Sequence, residues 1–426
     1  MAKKLALLGG PKTVNRTPPA YPVIGKEEQF AVTQTLLSRQ LSQVGHGGVV
    51  GQMEEAYADH FGAKYCHSFN SGTAAIASAL FALGVGPGDE VLTAADTWIS
   101  GLGAICHAGA TPVFCDVKQD SHHIDSAEIR RKATKRTKAV VVTHVWGFPA
   151  DMTPIMKAAR ARKLAVVEDC SHAHGGKYKG KYLGTIGDVG AFSLQGSKAI
   201  VAGEGGFLLT NNKLWYERSM IPGDHGARLR QELTHEALRG FAEGGGAWTY
   251  RIAPLCAAVA VEQLKRLNTL NAARQTNFER LHKTIKKHVP FIKWPALHKG
   301  SVRGWYGTPA LYEYDQKKVS RDTFCEACAA EGAPVGGVGY ANFYEIPLFQ
   351  DTKLYGQMFT VKHAGGAEFT PVKPGSLKRH ESVRRRNLVF PIPAEECGAL
   401  MDQVGEAIAK VASNMSALAK YQKQKQ

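Results

Sequence analysis

Lysine becomes a reagent when its ammonium is taken out of water, and one lysine of this chain stands where that can happen. Lys198 closes the stretch Phe192-Ser193-Leu194-Gln195-Gly196-Ser197-Lys198 and is followed by Val201-Ala202-Gly203-Glu204-Gly205-Gly206. In a small, glycine-rich turn its side chain can be desolvated and its pKa lowered, leaving an amine able to form an imine with an aldehyde. Asp169 ends the apolar run Val166-Val167-Glu168-Asp169. A carboxylate there would be costly without a partner, and a protonated ring nitrogen would serve. Ser71-Gly72-Thr73 opens an alanine-rich helical stretch, where free backbone N–H groups and two hydroxyls suit a phosphate dianion. Ser193, five residues before the lysine, could reach the same phosphate. Trp98, in Asp96-Thr97-Trp98-Ile99, could stack on a flat heterocycle at a sheet edge. Singly, these are an ordinary surface lysine, an N-cap and a core tryptophan. Jointly they supply an imine-forming amine, a ring-nitrogen partner, a ring stacker and a phosphate cradle, the equipment that pyridoxal phosphate requires.

The elements that must position these residues alternate. Helical patterns over 25–39 and 51–61 precede the Asn70-Ser71-Gly72-Thr73-Ala74-Ala75 helix, which ends near Gly84. A turn at Gly86-Pro87-Gly88-Asp89 leads to the strand Glu90-Val91-Leu92-Thr93. Then come a helix near 98–109, a strand at 111–115, a helix at 125–134, the strand Ala139–Thr143, a helix at 151–162 and the strand Leu164–Glu168. Shorter strands follow at 189–194 and 206–210, with a helix near 211–220. Continuous apolar strands separated by helices predict an α/β fold with a mainly parallel sheet covered on both faces. From about residue 255 a long helix leaves the sheet, a helix at 274–288 comes next, and then a mixed segment. The expected division is a large domain over 1–255, including an N-terminal arm, and a smaller α+β domain over 256–426.

With 426 residues, 44% of them hydrophobic and 21% charged, the chain has the composition of a soluble globular protein large enough for two domains. No apolar run approaches the roughly 20 residues of a membrane span. The start, Met1-Ala2-Lys3-Lys4-Leu5-Ala6-Leu7-Leu8-Gly9-Gly10, is too short in apolar residues for a signal peptide. A cytoplasmic location is expected, and eight scattered cysteines read as free thiols. Cys325-Glu326-Ala327-Cys328 has no second pair to complete a metal site, so none is expected. The formal charge of +16 includes one dense run, Lys373–Arg386. Without interleaved aromatics or a nucleic-acid-binding pattern, it reads as a solvated basic face or a field for anionic substrates.

The chain resembles the DegT/DnrJ/EryC1/StrS family of sugar aminotransferases over about Leu5–Val411. The motifs are Asn70-Ser71-Gly72-Thr73-Ala74-Ala75, Gly84-Val85-Gly86-Pro87-Gly88-Asp89-Glu90-Val91, Glu168-Asp169-Cys170-Ser171-His172-Ala173, and Ser197-Lys198 leading to Gly203-Glu204-Gly205-Gly206. The resemblance implies the aspartate-aminotransferase fold (type I) and pyridoxal phosphate as cofactor. It implies catalytic roles for Lys198, which would form the Schiff base, and Asp169, which would pair with the pyridine nitrogen. Trp98 occupies the ring-stacking position, while Gly72, Thr73 and Ser193 match phosphate-binding ones, beside Ser71. His172 stands where a side chain approaches the ring hydroxyl. The family usually carries Gly-x-Asn-aromatic-Arg-Met, whose asparagine reaches the neighbouring subunit's cofactor phosphate. Here the stretch reads Gly246-Ala247-Trp248-Thr249-Tyr250-Arg251-Ile252, so Arg251 is kept and Thr249, with its shorter reach, stands for the asparagine.

The chemistry expected of such a chain is two half-reactions at one site, with the freed Lys198 amine as the base. The donor is an amino acid, glutamine or glutamate. The opening residues and the long C-terminal region resemble the branch acting on keto-cyclitols in aminoglycoside assembly. Nucleotide-linked ketosugars and an aromatizing aminodehydratase are alternatives. A dehydratase of this fold would carry histidine in place of Lys198, and a regulator would need a DNA-binding module that the chain lacks room for. A homodimer with shared sites is expected, with Trp248, Thr249, Tyr250 and Arg251 on an arm made flexible by Gly244-Gly245-Gly246.

Overall fold

The computed structural model describes residues 3–425 apart from 43, 247, 338, 352 and 354–370. Ala247, within the expected arm, therefore lies outside the described residues. Seven strands form the central sheet: β1 (Tyr65–Phe69), β2 (Glu90–Ala94), β3 (Thr111–Cys115), β4 (Thr137–Thr143), β5 (Ala165–Asp169), β8 (Val189–Ser193) and β9 (Gly206–Thr210). Their order is β1-β9-β8-β5-β4-β2-β3. Neighbours from β3 to β8 pair in parallel, whereas β9 runs antiparallel to both β8 and β1. Six carboxyl ends therefore share one edge, and the amino end of β9 joins them there. The hairpin β6 (Lys177–Tyr178) and β7 (Lys181–Tyr182) stands apart.

Both faces of the sheet are covered, which is why β2 and β8 are buried at every residue. On one face, Met53, Tyr57 and Phe61 of helix Gly48–Phe61 pack with Val140, Val166, Phe192 and Phe207. On the other, Ala75, Ile76 and Ala79 of helix Gly72–Ala82 meet Val141, Val167 and Leu208. A second core surrounds the antiparallel strands β10 (Ile292–Lys293), β11 (Pro309–Tyr312) and β12 (Asn387–Val389). Helices Arg321–Ala330, Gly398–Ser413 and Met415–Lys425 enclose it, and Leu5 and Val14 from the chain's start pack into it.

Four features differ from the sequence reading. The segment leaving the sheet and the expected helix 274–288 are one helix, Pro254–His288, with no glycine or proline after its first residue to interrupt it. Its Ala257, Ala260, Leu264 and Leu267 belong to the sheet core and its Leu281 and Ile285 to the second core. The expected division at 255/256 thus falls in this helix's first turn. Strand β1 escaped notice because His67 and Ser68 interrupt its apolar pattern. Buried partners satisfy both: Ser68 donates through N and Oγ to Glu54 Oε1 at 2.9 and 2.6 Å, and His67 contacts Asp224 at 2.8 Å.

The basic run is not a solvated face throughout. On helix Lys378–Arg386, Arg379 pairs with Asp116 and Asp125 of the first unit, and Arg386 joins Asp120 of the first unit to Glu313, which follows β11. Nor do the three glycines make a free arm. The N–H of Gly246 donates to Ile221 O at 2.8 Å, that of Trp248 to Pro222 O at 3.1 Å and that of Tyr250 to Gly223 O at 3.1 Å. A Cβ on Gly245, at φ +50°, would lie 2.3 Å from Ile221 O. Close packing is the reason for glycine there.

Strand β9, between β1 and β8, carries a similar constraint. A Cβ on Gly206 would come within 2.6 Å of the Ser71 backbone, so the turn after β1 and the start of β9 can meet only if residue 206 has no side chain. Gly206→Ala should destabilise the protein by about 1–3 kcal/mol, read as a lower midpoint in denaturant unfolding. An unchanged midpoint would show that this approach is not a constraint.

Candidate active site

At the shared edge, four strand ends surround a cavity of about 390 Å³. The turn after β1 contributes Ser71, Gly72 and Thr73, the loop after β2 Trp98, β5 Asp169 and its adjoining turn His172, and β8 Ser193 with the loop to Lys198. The expected residues that line it are therefore Ser71, Gly72, Thr73, Trp98, Asp169, His172, Ser193 and Lys198. Thr249 and Arg251 are not among its walls in this protomer.

Ser71 is the N-cap of helix Gly72–Ala82, its Oγ accepting from Ala74 N at 3.1 Å. That cap leaves the first amides of the helix without intrahelical acceptors, at the positive end of the helix dipole. A Cβ on Gly72 would stand 2.7 Å from Ser193 Cβ, so this glycine lets the two phosphate-directed segments touch. Asn70 holds the turn from behind, donating through its N to Tyr250 O at 2.6 Å and through Nδ2 to Thr249 O at 2.9 Å. Thr249 and Arg251 thus adjoin the cradle from outside.

The lysine loop is a tight connection between β8 and β9. Leu194 N donates to Gly205 O at 2.8 Å, Ala202 N to Leu194 O at 2.7 Å and Lys198 N to Gln195 O at 2.8 Å. From outside, the Tyr21 hydroxyl donates to Lys198 O, and Arg274 Nη2 to Ala199 O at 3.2 Å. The Lys198 side chain is buried, with Nζ 4.2 Å from the centre of the Tyr306 ring. Among the described residues no carboxylate forms an ion pair with it. Burial lowers its pKa below the ordinary 10.5, and Tyr306 and Asp169 only partly oppose the shift.

Asp169 is buried at the end of β5, with Oδ1 accepting from Ser171 N at 3.1 Å and Oδ2 from Thr143 Oγ1 at 3.4 Å. Beneath it, His144, Glu168 and Cys170 lie close enough to suggest a metal site. The chain itself occupies them: Glu168 accepts from Ile186 N, Gly187 N and His144 Nε2, and His144 Nδ1 accepts from Ala150 N. The His144–Glu168 pair braces the strand end that aims Asp169.

His172 is held on all sides. Its ring stacks on Tyr306 at 3.9 Å, Nε2 meets the Tyr340 hydroxyl at 3.0 Å, and Nδ1 accepts from Trp146 N at 3.4 Å. Burial, then the charge of Lys198, hold its pKa well below the usual histidine value, so it works as a neutral ring. Trp98, 47% exposed, leans on Tyr340 and Phe343 at the cavity's side. Tyr306 and Tyr340 had no sequence signal, because they arrive from an irregular region with neither strand nor helix periodicity. Tyr306 is fixed through its neighbours: Gly304 N donates to Gly147 O at 2.8 Å, and Arg303 lies between the rings of Trp305 and Phe148.

Comparison with known proteins gives this arrangement its context. The model of the DegT/DnrJ/EryC1/StrS aminotransferase family matches residues 22–368. The chain belongs to that family. A relative from Micromonospora echinospora, named as a putative L-glutamine:3-amino-2,3-dideoxy-scyllo-inosose aminotransferase, is 30% identical over 99% of this chain and 100% of the relative. GDP-perosamine synthase of Escherichia coli O157:H7 is 36% identical over 63% of this chain and 71% of the relative. Among solved structures, the aminotransferase from Psychrobacter cryohalolentis superposes with a TM-score of 0.82 at 27% identity, covering 94% of this chain and 100% of that one. The E. coli GDP-4-keto-6-deoxy-D-mannose-3-dehydratase with bound hydrated PLP shares the fold at 22% identity and a TM-score of 0.76, covering 92% of this chain and 99% of that one. The protein is thus an aminotransferase of the α/β class.

The buried lysine has a consequence for stability. Its folded pKa is depressed, so keeping it charged costs folding free energy below that pKa, and the cost disappears as pH rises past the unfolded value of 10.5. Lys198→Met should therefore raise the melting temperature of the cofactor-free protein near neutral pH, and the gain should shrink towards pH 10.5. A variant that melts earlier than the parent at pH 7 would contradict this.

Proposed function

We propose that this aminotransferase uses pyridoxal phosphate to move an amino group from glutamine or glutamate to a ketone on a polyhydroxylated ring, a keto-cyclitol or ketosugar. The carrying observation is the placement of Lys198, buried and, among the described residues, in no ion pair, in the same cavity as Asp169 and a helix N-terminus. This donor set fits the cofactor group by group. Gly72, Thr73 and Ser193 offer amides and hydroxyls for the phosphate, Asp169 would face the ring nitrogen, and Trp98 would flank the ring. Bound there, the cofactor supplies an electron sink for the carbanion at the donor's α-carbon. Lys198, largely desolvated, takes and returns the proton at that carbon. Asp169, fixed by Ser171 N and Thr143 Oγ1, keeps the ring nitrogen protonated. His172 has both nitrogens engaged, so it would meet the cofactor through its ring environment rather than a free N–H.

For the acceptor, the cavity offers hydroxyls from Ser100, Ser171, Ser197, Tyr306 and Tyr340 beside the Trp98 ring, which suits a ring bearing several hydroxyls. The name of the Micromonospora relative favours a cyclitol and a place in aminoglycoside or amino-sugar assembly. The perosamine synthase relative supports the second reading, a nucleotide-linked ketosugar. Thiols such as those of Cys66, Cys115 and Cys170, buried outside any disulfide, suit a reducing, cytoplasmic setting. A homodimer with shared sites completes the proposal. Trp248, 58% exposed, stands with exposed Phe81 and Phe241 around a shallow apolar hollow beside Thr249 and Arg251, a surface that a second copy would bury.

Two experiments test this reading. Asp169→Asn should retain the fold and lose about 10²–10⁴-fold in kcat; near-parental turnover would show that Asp169 does not hold the ring-nitrogen proton. Mixing Lys198→Ala and Arg251→Ala chains should restore activity that neither variant shows alone, because one heterodimer site is intact. Full activity of Arg251→Ala, or no recovery although heterodimers form, would refute sharing through Arg251.

A further inference from the structure

Arg303 is 3% exposed, and among the described residues no carboxylate pairs with it. Burial alone pulls its pKa down to about 9, so it is still a cation at neutral pH. Its Nη1 has no hydrogen-bond partner among the described residues. A buried charge left in this state is costly. The surroundings supply a reason for keeping it. The guanidinium carbon lies 4.0 Å from the centre of the Trp305 ring, 4.2 Å from that of Phe148 and 5.4 Å from that of Phe278. Held among these rings, the fork turns back on its own chain. Nε donates to Gly304 O at 3.3 Å, and Nη2 donates to Gly307 O and, at 3.4 Å, to Thr308 Oγ1. The two carbonyls bracket Trp305 and Tyr306. The same turn is pressed onto the residues beside the cavity, since a Cβ on Gly304 would lie 2.5 Å from Ala173 Cα and one on Gly307 2.6 Å from Trp146 Cε3. Tyr306 leaves this turn with its ring 6° from parallel to His172 and its centre 4.2 Å from Lys198 Nζ.

We propose that Arg303 is a positioning residue for the Lys198 amine: it fixes the turn 304–307 and so holds the face of Tyr306 against Nζ. The chain of contacts is short. Arg303 bonds the backbone on either side of Tyr306, and Tyr306 touches the nitrogen that reacts. A ring face within about 6 Å attracts an ammonium but not a neutral amine. A ring held in place therefore helps to set the pH at which Lys198 becomes a nucleophile. Burial lowers the pKa of that amine, and Tyr306 and then Asp169 oppose the shift. The other titratable groups facing it are Glu204 and Tyr340 on the cavity wall, and His172 and His174, both kept neutral by burial and by the charge of Lys198. A lysine at 303 would bring one point charge on a flexible stem, without the planar fork that bonds two carbonyls of one turn. The use of this device in catalysis rests on the proposed role of Lys198, while the contacts and their effect on the amine do not.

Reductive methylation of the cofactor-free protein with formaldehyde and cyanoborohydride, over a series of pH values, reads the pKa of the Lys198 amine. Peptide mass spectrometry follows the Lys198 peptide, normalised to exposed Lys299. The grip of the ring is the difference between Tyr306→Phe and Tyr306→pentafluorophenylalanine, which keeps the ring and drains its face. With Arg303 present, the fluorinated ring should lower the Lys198 pKa by about half a unit or more. With Arg303→Met or Arg303→Lys added, that difference should fall to less than about half its value. If neither of these variants folds, Phe148→Leu, which removes one wall of the guanidinium's seat, should diminish it in the same way. An arginine that only braces the junction would lower the melting temperature and leave the difference intact. An undiminished difference in a folded variant would overturn the proposal, as would the absence of any difference when Arg303 is present. If Lys198 does not join the cofactor, the aminotransfer reading falls and this result stands.

Discussion

The structure depends on keeping one ammonium group out of water. Lys198 is buried against the face of Tyr306, and among the described residues no carboxylate forms an ion pair with it, an arrangement that costs stability and that an ordinary core would not retain. Much of the neighbouring architecture serves to hold it there. The loop is tied across β8 and β9, Tyr21 and Arg274 grip its backbone from outside, and Tyr306 is fixed by a chain segment bonded to Gly147. The residue's value lies in chemistry: a desolvated lysine is a neutral amine at a pH where an exposed one is charged.

The second constraint is topological. Parallel strands bring residues from distant parts of the sequence to one edge, since each connection returns to the same side, through a helix from β1 to β5 and through the segment with the β6–β7 hairpin from β5 to β8. Ser71, Trp98, Asp169 and Ser193 are far apart in sequence, yet each lies at or just beyond a strand's carboxyl end. The antiparallel β9 adds Gly206, which lets the phosphate-directed turn sit against it. Beneath the edge, fully buried polar groups such as the His144–Glu168 pair fix strand ends that would otherwise be free to shift.

Much of this was legible in the sequence. Runs such as Val140-Val141-Val142 and Val166-Val167, punctuated by helical segments, announce a covered parallel sheet, and Lys198, Asp169 and Ser71-Gly72-Thr73 carry chemistry on their face. What stayed hidden was whatever depends on tertiary partners. His67 and Ser68 masked β1 because tertiary partners make them tolerable inside: Glu54 for Ser68, and Asp224 and Ser219, whose Oγ lies 2.9 Å from Nδ1, for His67. Arg379 and Arg386 read as surface charge because their acids lie more than sixty residues away. Tyr306 and Tyr340 come from irregular segments, where no periodicity distinguishes a cavity wall from a loop. The glycines at 244–246 read as flexibility, although at Gly245 the structure uses the missing side chain for contact with Ile221.

Everything proposed for the active cavity rests on Lys198 as the residue that joins the cofactor. Borohydride reduction of the protein loaded with pyridoxal phosphate, followed by peptide mass spectrometry, reads this directly. A pyridoxyl group is predicted on the peptide containing Lys198, with no such label in Lys198→Ala. A label carried by another lysine of the parent protein, or one that persists in the variant, would contradict it.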